Sequence, residues 1–304
     1  MSEFKNKIDF AVILTVTNAN PNGDPLNGNR PRENFDGFGE ISDVCIKRKI
    51  RNRLQDLGGD IFVQSDERNA DGYQSLKERA DKCSELKAAG TDKNAYAKAA
   101  CEKWIDVRSF GQVFAFKKDS DKKKDVEDKK KDVEDEKKDK GVSVGVRGPV
   151  SIQSAFSVSP VDITTIQITK SVNGDPTTDG RKSSDTMGAK HRVDFGVYKF
   201  FGSISHQLSE KTGFSKEDSE KIKEALCSLF ENDSSSARPD GSMEVYKVYW
   251  WEHDSFMGKQ SSAKVHRSLK IEPKDKNSSP KSIDDYDISV APLDGVKLEE
   301  YNGI

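Results

Sequence analysis

Cysteine and histidine are scarce: 304 residues hold four of each. Cys45, Cys83, Cys101 and Cys227 are scattered with no Cys-x-x-Cys pair, which excludes a zinc finger and a disulfide framework. Such thiols read as buried and reduced, in an intracellular protein. Among His191, His206, His253 and His266, one sits between acid–base neighbours, in Trp250-Trp251-Glu252-His253-Asp254. A histidine satisfied beside a strand end accounts for it. Gly-x-Ser-x-Gly, His-Glu-x-x-His and the Gly-Lys-Ser/Thr of a phosphate loop are all absent. Asp24 and Asp36 are isolated loop carboxylates, too few for a metal site. The sequence therefore calls for no catalysis, no cofactor and no metal. Long apolar runs are missing too. The N-terminal one carries Asp9 and is too short to span a bilayer, which predicts a soluble, cytoplasmic protein.

Net charge is only −2 and hydrophobic content 33%, a lean composition that does not by itself suggest a polyanion partner. The charge is unevenly placed. Residues 117–140 hold 21 charged residues of 24, eleven basic and ten acidic, with the repeat Asp-Lys-Lys-Lys-Asp-Val-Glu at 121–127 and 128–134. Val126 and Val133 are its apolar residues, so the period of seven makes no coiled-coil seam. Its nearly cancelled charge makes no nucleic-acid tail either, and it reads as a solvated insertion between strands. Between Val44 and Arg53, by contrast, the five cations Lys47, Arg48, Lys49, Arg51 and Arg53 stand without an acid. An ordinary solvated helix face mixes signs. This one does not.

Alternation of Ile8, Phe10, Val12, Leu14 and Val16, with Ala11, Ile13, Thr15 and Thr17 opposite, predicts a central strand over 8–17. The turn dipeptides of Asn20-Pro21-Asn22-Gly23-Asp24-Pro25 end it. Ile46, Ile50, Leu54 and Leu57 then form the stripe of a helix, capped by Ser42 or Asp43 and closed by Gly58-Gly59. Lys47, Arg48 and Arg51 fall on one arc away from that stripe. Residues 60–104 read as a polar, alanine-rich insertion with helical pieces at 75–89 and 95–104. Strands are predicted at 110–116, within 142–158, and at 163–169, 193–203, 245–251 and 265–271. A capping box at Ser215 opens a second helix, with Ile222, Ala225, Leu226, Leu229 and Phe230 on its apolar face. The polar excursion over 160–190 reads as a projecting arm, and the acid-rich stretch 273–304 as a surface tail. Without its insertions the order is βαββαβ, an α+β, ferredoxin-like sheet with two helices on one face. The open face of such a sheet is a common platform for single-stranded RNA.

Arg30, Arg32, Arg108, Arg147 and the Lys190-His191-Arg192 cluster each stand beside a predicted strand end, where cations meet phosphate oxygens readily. Taken with Asn20 to Pro25, Pro31-Arg32 and the run from Ser42 to Arg51, these residues resemble the opening of the CRISPR-associated Cas7 family. That family is the RNA-binding backbone subunit of type I Cascade surveillance complexes, and the I-C branch is the nearest. Asp106 to Val113, Gly148 to Gln153, Met187 to His191 and Arg238-Pro239-Asp240-Gly241 continue the resemblance in order along the chain. It implies a modified RNA-recognition-motif palm over 1–59, 105–160 and 190–272, a finger-like insertion over 60–104 and a thumb-like β-hairpin in the arm. It also implies copies stacked head to tail on one CRISPR guide RNA, beside other Cascade subunits, presenting the guide to target DNA in antiviral defence. By the resemblance Arg30, Arg32, Lys47, Arg48 and Arg51 contact guide phosphates, with Arg108 and Arg147 as further RNA contacts. Lys190, His191 and Arg192 sit at the base of the thumb, and Met187 is a wedge against a base. The rival reading is a metal-dependent, RNA-cleaving backbone of the related type III kind, with Asp24 or Asp36 as its catalytic aspartate.

Overall fold

Strand β1 (Ile8–Ala19) has its first nine residues buried, on both faces at once. In this computed structural model, which describes residues 3–115, 143–169, 187–275 and 277–304, β1 lies inside an antiparallel sheet. Its even-numbered residues from Ile8 to Val16 enter one apolar cluster, and Ala11 and Ile13 enter another. The chain then makes β2 (Gly23–Asp24), β3 (Arg30–Pro31), β4 (Phe38–Ile41) and helix α1 (Asp43–Asp56). Ser42 Oγ accepts the Cys45 N–H at 3.4 Å to cap α1, and Gly58 at φ 79° follows its end.

Next come α2 (Leu76–Lys82), α3 (Ser84–Ala89), α4 (Lys93–Lys103) and α5 (Ile105–Phe110), then the hairpin β5 (Gly111–Ala115) and β6 (Ser143–Arg147). The expected helix over 75–89 is two helices, because Cys83 takes an extended ψ of 120°. These elements gather a core of their own, with Phe62 packed on Trp104 and Phe114. Ala115 and Ser143 are direct cross-strand partners. The charged stretch 117–140 lies outside the described residues.

The second half supplies β7 (Val150–Ile152), β8 (Ala155–Pro160), β9 (Ile163–Thr169), β10 (Met187–Ile204), α6 (His206–Thr212) and α7 (Lys216–Cys227). After them come β11 (Met243–His253), α8 (Ser262–Ser268), β12 (Leu269–Pro273), β13 (Tyr286–Val290) and β14 (Val296–Asn302). The main sheet runs β14-β11-β1-β10-β8-β4, with β7 and β9 also paired to β10. The molecule is a mixed α/β fold built on this large antiparallel sheet. The capping box at Ser215 forms as expected, with Asp218 as its partner. Among the described residues no helix is long and apolar enough to cross a membrane.

Helices α1 and α7 share the sheet face that carries Phe10, Val12, Phe200 and Trp250. The other face is not open, which corrects the expectation of a bare platform. Val265 of α8, Leu269 and Ile271 of β12 and Tyr286 of β13 close over Ala11, Ile13, Val197 and Trp251. Each fully buried aliphatic or aromatic side chain there contributes roughly 1.5–3 kcal/mol. Residues 265–271, expected as one strand, split into the end of α8 and the start of β12. The supposed surface tail from 273 on is built in as well: β13 pairs with β12, and β14 is the sheet's outer strand beside β11. Its acids line an exposed edge while Leu298 packs inward, so composition alone concealed the strand.

Candidate nucleic-acid interface

Where β1 ends, three chain segments meet: the loop 20–42, the base of the β9–β10 arm and the loop 228–242. Asparagines shape the first. Asn20 N donates to Ala237 O at 2.9 Å, and its Nδ2 donates to Asn29 O at 2.6 Å. Asn22 Oδ1 accepts from Ser42 N at 3.0 Å and Ser42 Oγ at 2.9 Å, tying the loop to the start of α1. Gly23 is required by a close approach: a Cβ there would stand 2.0 Å from Asn29 Oδ1. Asp24 Oδ1 accepts the Leu26 N–H at 3.2 Å and lies 3.5 Å from Arg32. That is a turn-forming role. Among the described residues no three acids, histidines or cysteines assemble as a metal site.

The arm brings the next cations. In the β9–β10 register His191 faces Thr165, Lys190 faces Ile166 and Arg192 faces Thr164. Arg30 Nη1 donates to Thr165 Oγ1 at 3.3 Å, and that oxygen lies 2.9 Å from His191 Nδ1. Lys190 Nζ donates to Ser236 O at 2.8 Å, on the third segment. Arg30, Arg32, Lys190, His191 and Arg192 are therefore gathered in one region. Their ion pairs are loose and half-exposed: Arg30 to Glu33 at 3.7 Å, Arg32 to Asp24 at 3.5 Å and Arg192 to Asp194 at 3.6 Å. Pairs of this kind are worth at most about 1 kcal/mol. The buried Nε atoms of Arg32 and Arg192 have no hydrogen-bond acceptor among the described residues. Met187, 62% exposed, stands farther out on the arm, whose stretch 170–186 lies outside the described residues.

The cations of α1 are placed differently. Lys47 pairs with Asp43 at 3.0 Å. Arg48 Nη1 donates to Val63 O at 2.6 Å, and burial pushes its guanidinium below the usual arginine range. Arg51 Nε donates at 3.0 Å to Asp106, a fully buried carboxylate that also accepts the Phe62 and Val63 N–H groups. Arg108 grips Asp218 with two bonds of 2.9 and 2.8 Å. Two of the three cations on the arc that the helical wheel turned away from the stripe, Arg48 and Arg51, thus pack on α5 and the segment 61–63. Arg147 is exposed at the end of β6. His253 is buried, its Nε2 2.8 Å from Asp9 Oδ2, while its Nδ1 has no hydrogen-bond partner among the described residues, so the expectation of a satisfied histidine holds for one ring nitrogen. In the loop 228–242 Asp233 holds both the buried Lys49 and Arg238, beside a recess of 760 Å³.

A family model described as CRISPR-associated protein Cas7 matches residues 6–291. The chain belongs to that family. A CRISPR-associated protein Cas7 from Haloferax volcanii is 28% identical over 229 residues, which cover 73% of this chain and 63% of that relative. The chain thus spans a little under two thirds of the length of the curated relative it matches. Two solved chains also align. One, from a structure titled CRISPR RNA-guided surveillance complex, pre-nicking, has a TM-score of 0.48 at 16% identity, covering 81% of this chain and 78% of the other. The second, from a CRISPR RNA-guided surveillance complex, has a TM-score of 0.44 at 15% identity, with 81% and 68% covered. In this Cas7-family chain Asn20, Thr165 and Arg238 also belong to this meeting point of three segments, a role that the sequence did not mark. Asn20 and Arg238 both lay inside motifs already noticed. Asn20 and Thr165 acquire their place through pairings far apart in sequence.

Proposed function

We propose that this Cas7-family chain is a non-catalytic subunit that holds a CRISPR guide RNA for pairing with target DNA, in a Cascade surveillance complex where copies stack head to tail. The single observation that carries the reading is the convergence of Arg30, Arg32, Lys190, His191 and Arg192 where the arm meets two loops. Loose, half-exposed carboxylate partners leave these cations ready for phosphate oxygens, whose charge-assisted bonds are the stronger. The sheet order β11-β1-β10-β8 is the order of a ferredoxin-like βαββαβ unit, which supports reading this part as an RNA-recognition-motif palm. The arm over 160–190 is then the thumb, with Met187 as its candidate wedge, and the elements from α2 to α4 are the finger-like insertion. Guide phosphates run along the end of the sheet in this reading, because the face opposite α1 and α7 is covered. Lys47 is the α1 cation best placed to join them. Arg48, Arg51 and Arg108 act mainly inside the fold.

The test is Arg30→Glu with Arg192→Glu in the chain co-expressed with its guide and partner subunits. RNA content, read by ultraviolet absorbance ratio and mass spectrometry, is expected to fall while the melting temperature stays within about 2 °C, as surface pairs of this kind allow. Guide RNA retained at the usual ratio would refute the placement. Regularly spaced cuts in complementary RNA with magnesium, lost in Asp24→Ala, would overturn the non-catalytic reading.

A further inference from the structure

The covered face of the sheet carries a second recess, where α8 and β12 approach β10. Its volume is 340 Å³, and Lys199, Phe201, His266, Arg267, Lys270 and Glu272 line it. Three cations there stand against one carboxylate. None of Lys199, Arg267 and Lys270 has an ion-pair partner among the described residues. Lys199 is half-buried, and burial alone pushes its ammonium below the usual lysine range, with no neighbouring charge to offset it. Its one partner among the described residues is the Phe201 ring, 6.0 Å from Nζ to the centroid, and a desolvated lysine normally has a carboxylate as well, which leaves the place of an anion open.

The rings beside these cations narrow the chemistry. Phe201 stacks on His266, with centroids 4.6 Å apart and planes at 17°. Phe156 stands directly opposite Lys199 across the β8–β10 pair, on the same face, and is 43% exposed. Phe201, two residues along β10, shares that face. A simple anion has no use for an exposed ring next to the charge. A base carrying a phosphate uses both.

The geometry points to a nucleotide site: one unit of a single-stranded polynucleotide, its phosphate before Lys199, Arg267 and Lys270 and its base on Phe156. The site lies on the α8 side of the sheet, so it goes beyond the guide reading, and its failure would leave that reading intact. A free nucleotide offers the same chemistry, and the experiment separates the two sources. The full chain, loaded with whatever RNA it carries, is irradiated with a bromouracil-substituted oligo(dT), and the cross-linked peptides are mapped. Cross-links are expected on Phe156, Phe201 or the segment 262–272. Phe156→Ala should weaken oligo(dT) binding about tenfold, within the range for one lost base stack. Lys199→Met with Lys270→Ala should lower the log–log salt slope by about 1.4. Lys199→Met also removes an uncompensated ammonium, so its melting temperature should not fall, and misfolding is thereby excluded as the cause. If saturating AMP removes the cross-link, a free nucleotide suffices; if it does not, the strand is the ligand. Cross-links confined to other segments with an unchanged slope would overturn the site. Inorganic phosphate competing as well as AMP would overturn the base contact.

Discussion

Arg51→Ala separates a cation that holds RNA from one that holds the fold. Its Nε–H meets Asp106 Oδ2 at 3.0 Å, and the Asp106 carboxylate is fully buried with the Phe62 and Val63 amides as its remaining donors, at 2.8 and 3.1 Å. Alanine would remove that carboxylate's hydrogen-bonded counter-charge and leave Arg48 as its remaining cationic neighbour. Breaking a buried pair from one side costs roughly 3–5 kcal/mol. The lost stacking of the guanidinium on Phe110, 5.1 Å from its ring centre, adds about 0.5–1 kcal/mol. Against a total stability of about 5–15 kcal/mol this is a large share. At roughly 2–4 °C per kcal/mol it lowers the melting temperature by about 10 °C or more. Thermal unfolding of Arg51→Ala, Asp106→Asn and the double variant closes a cycle, whose coupling is expected to be about 2 kcal/mol or more. Limited proteolysis should show 60–110 opening first, since that pair ties α1 to α5 and to the segment 61–63. An Arg51→Ala chain that melts with the unmodified one but has lost its RNA would refute the reasoning and make Arg51 a phosphate contact.

Gly23→Ala should disturb the loop that carries Arg30, because the new methyl meets Asn29 Oδ1 at 2.0 Å and Asn29 O at 2.9 Å. RNA content is expected to fall with little change in melting temperature, and unchanged RNA content would show that the loop absorbs the methyl. His266 gives a pH dependence. Burial, with Lys7 adding to it, holds its imidazole below its ordinary 6.5, only partly offset by Asp9 at 3.6 Å and the Gly202 backbone, and the Phe201 ring stacks beside it. The unfolded chain therefore takes up the proton first, so this contribution is complete above pH 6.5 and is lost as pH falls through the folded value. Melting temperature followed from about pH 7 to about pH 5 should decline, and less steeply in His266→Gln. Equal slopes would remove His266 from the account.

The sheet core was legible because period two at 8–17 and the Ile46, Ile50, Leu54 stripe are local signals. The cap at Ser42 and the capping box at Ser215 were legible for the same reason. What escaped depends on distant partners. No helical wheel shows that Arg51 will meet Asp106 or that Arg108 will meet Asp218, because those carboxylates lie far off in the chain. A run of cations without local acids can mark a phosphate path, and it can equally mark a helix whose acids come from its neighbours. The cover on the second sheet face escaped because α8 and β13 are short and flanked by polar residues. The gathering of Arg30 with His191 through Thr165 needed the β9–β10 register, which adjacent residues do not encode.

The β5–β6 hairpin, where Ala115 and Ser143 stand opposite one another, has a consequence for engineering. Opposed partners in an antiparallel pair have Cα atoms about 5 Å apart, so whatever joins them begins and ends at the same spot on the surface. Closure cost there grows only with the logarithm of length, about 0.6 kcal/mol per doubling. The hairpin is thus a splice port, where a reporter domain or a two-residue turn can replace residues 116–142 while the strands on either side keep their register.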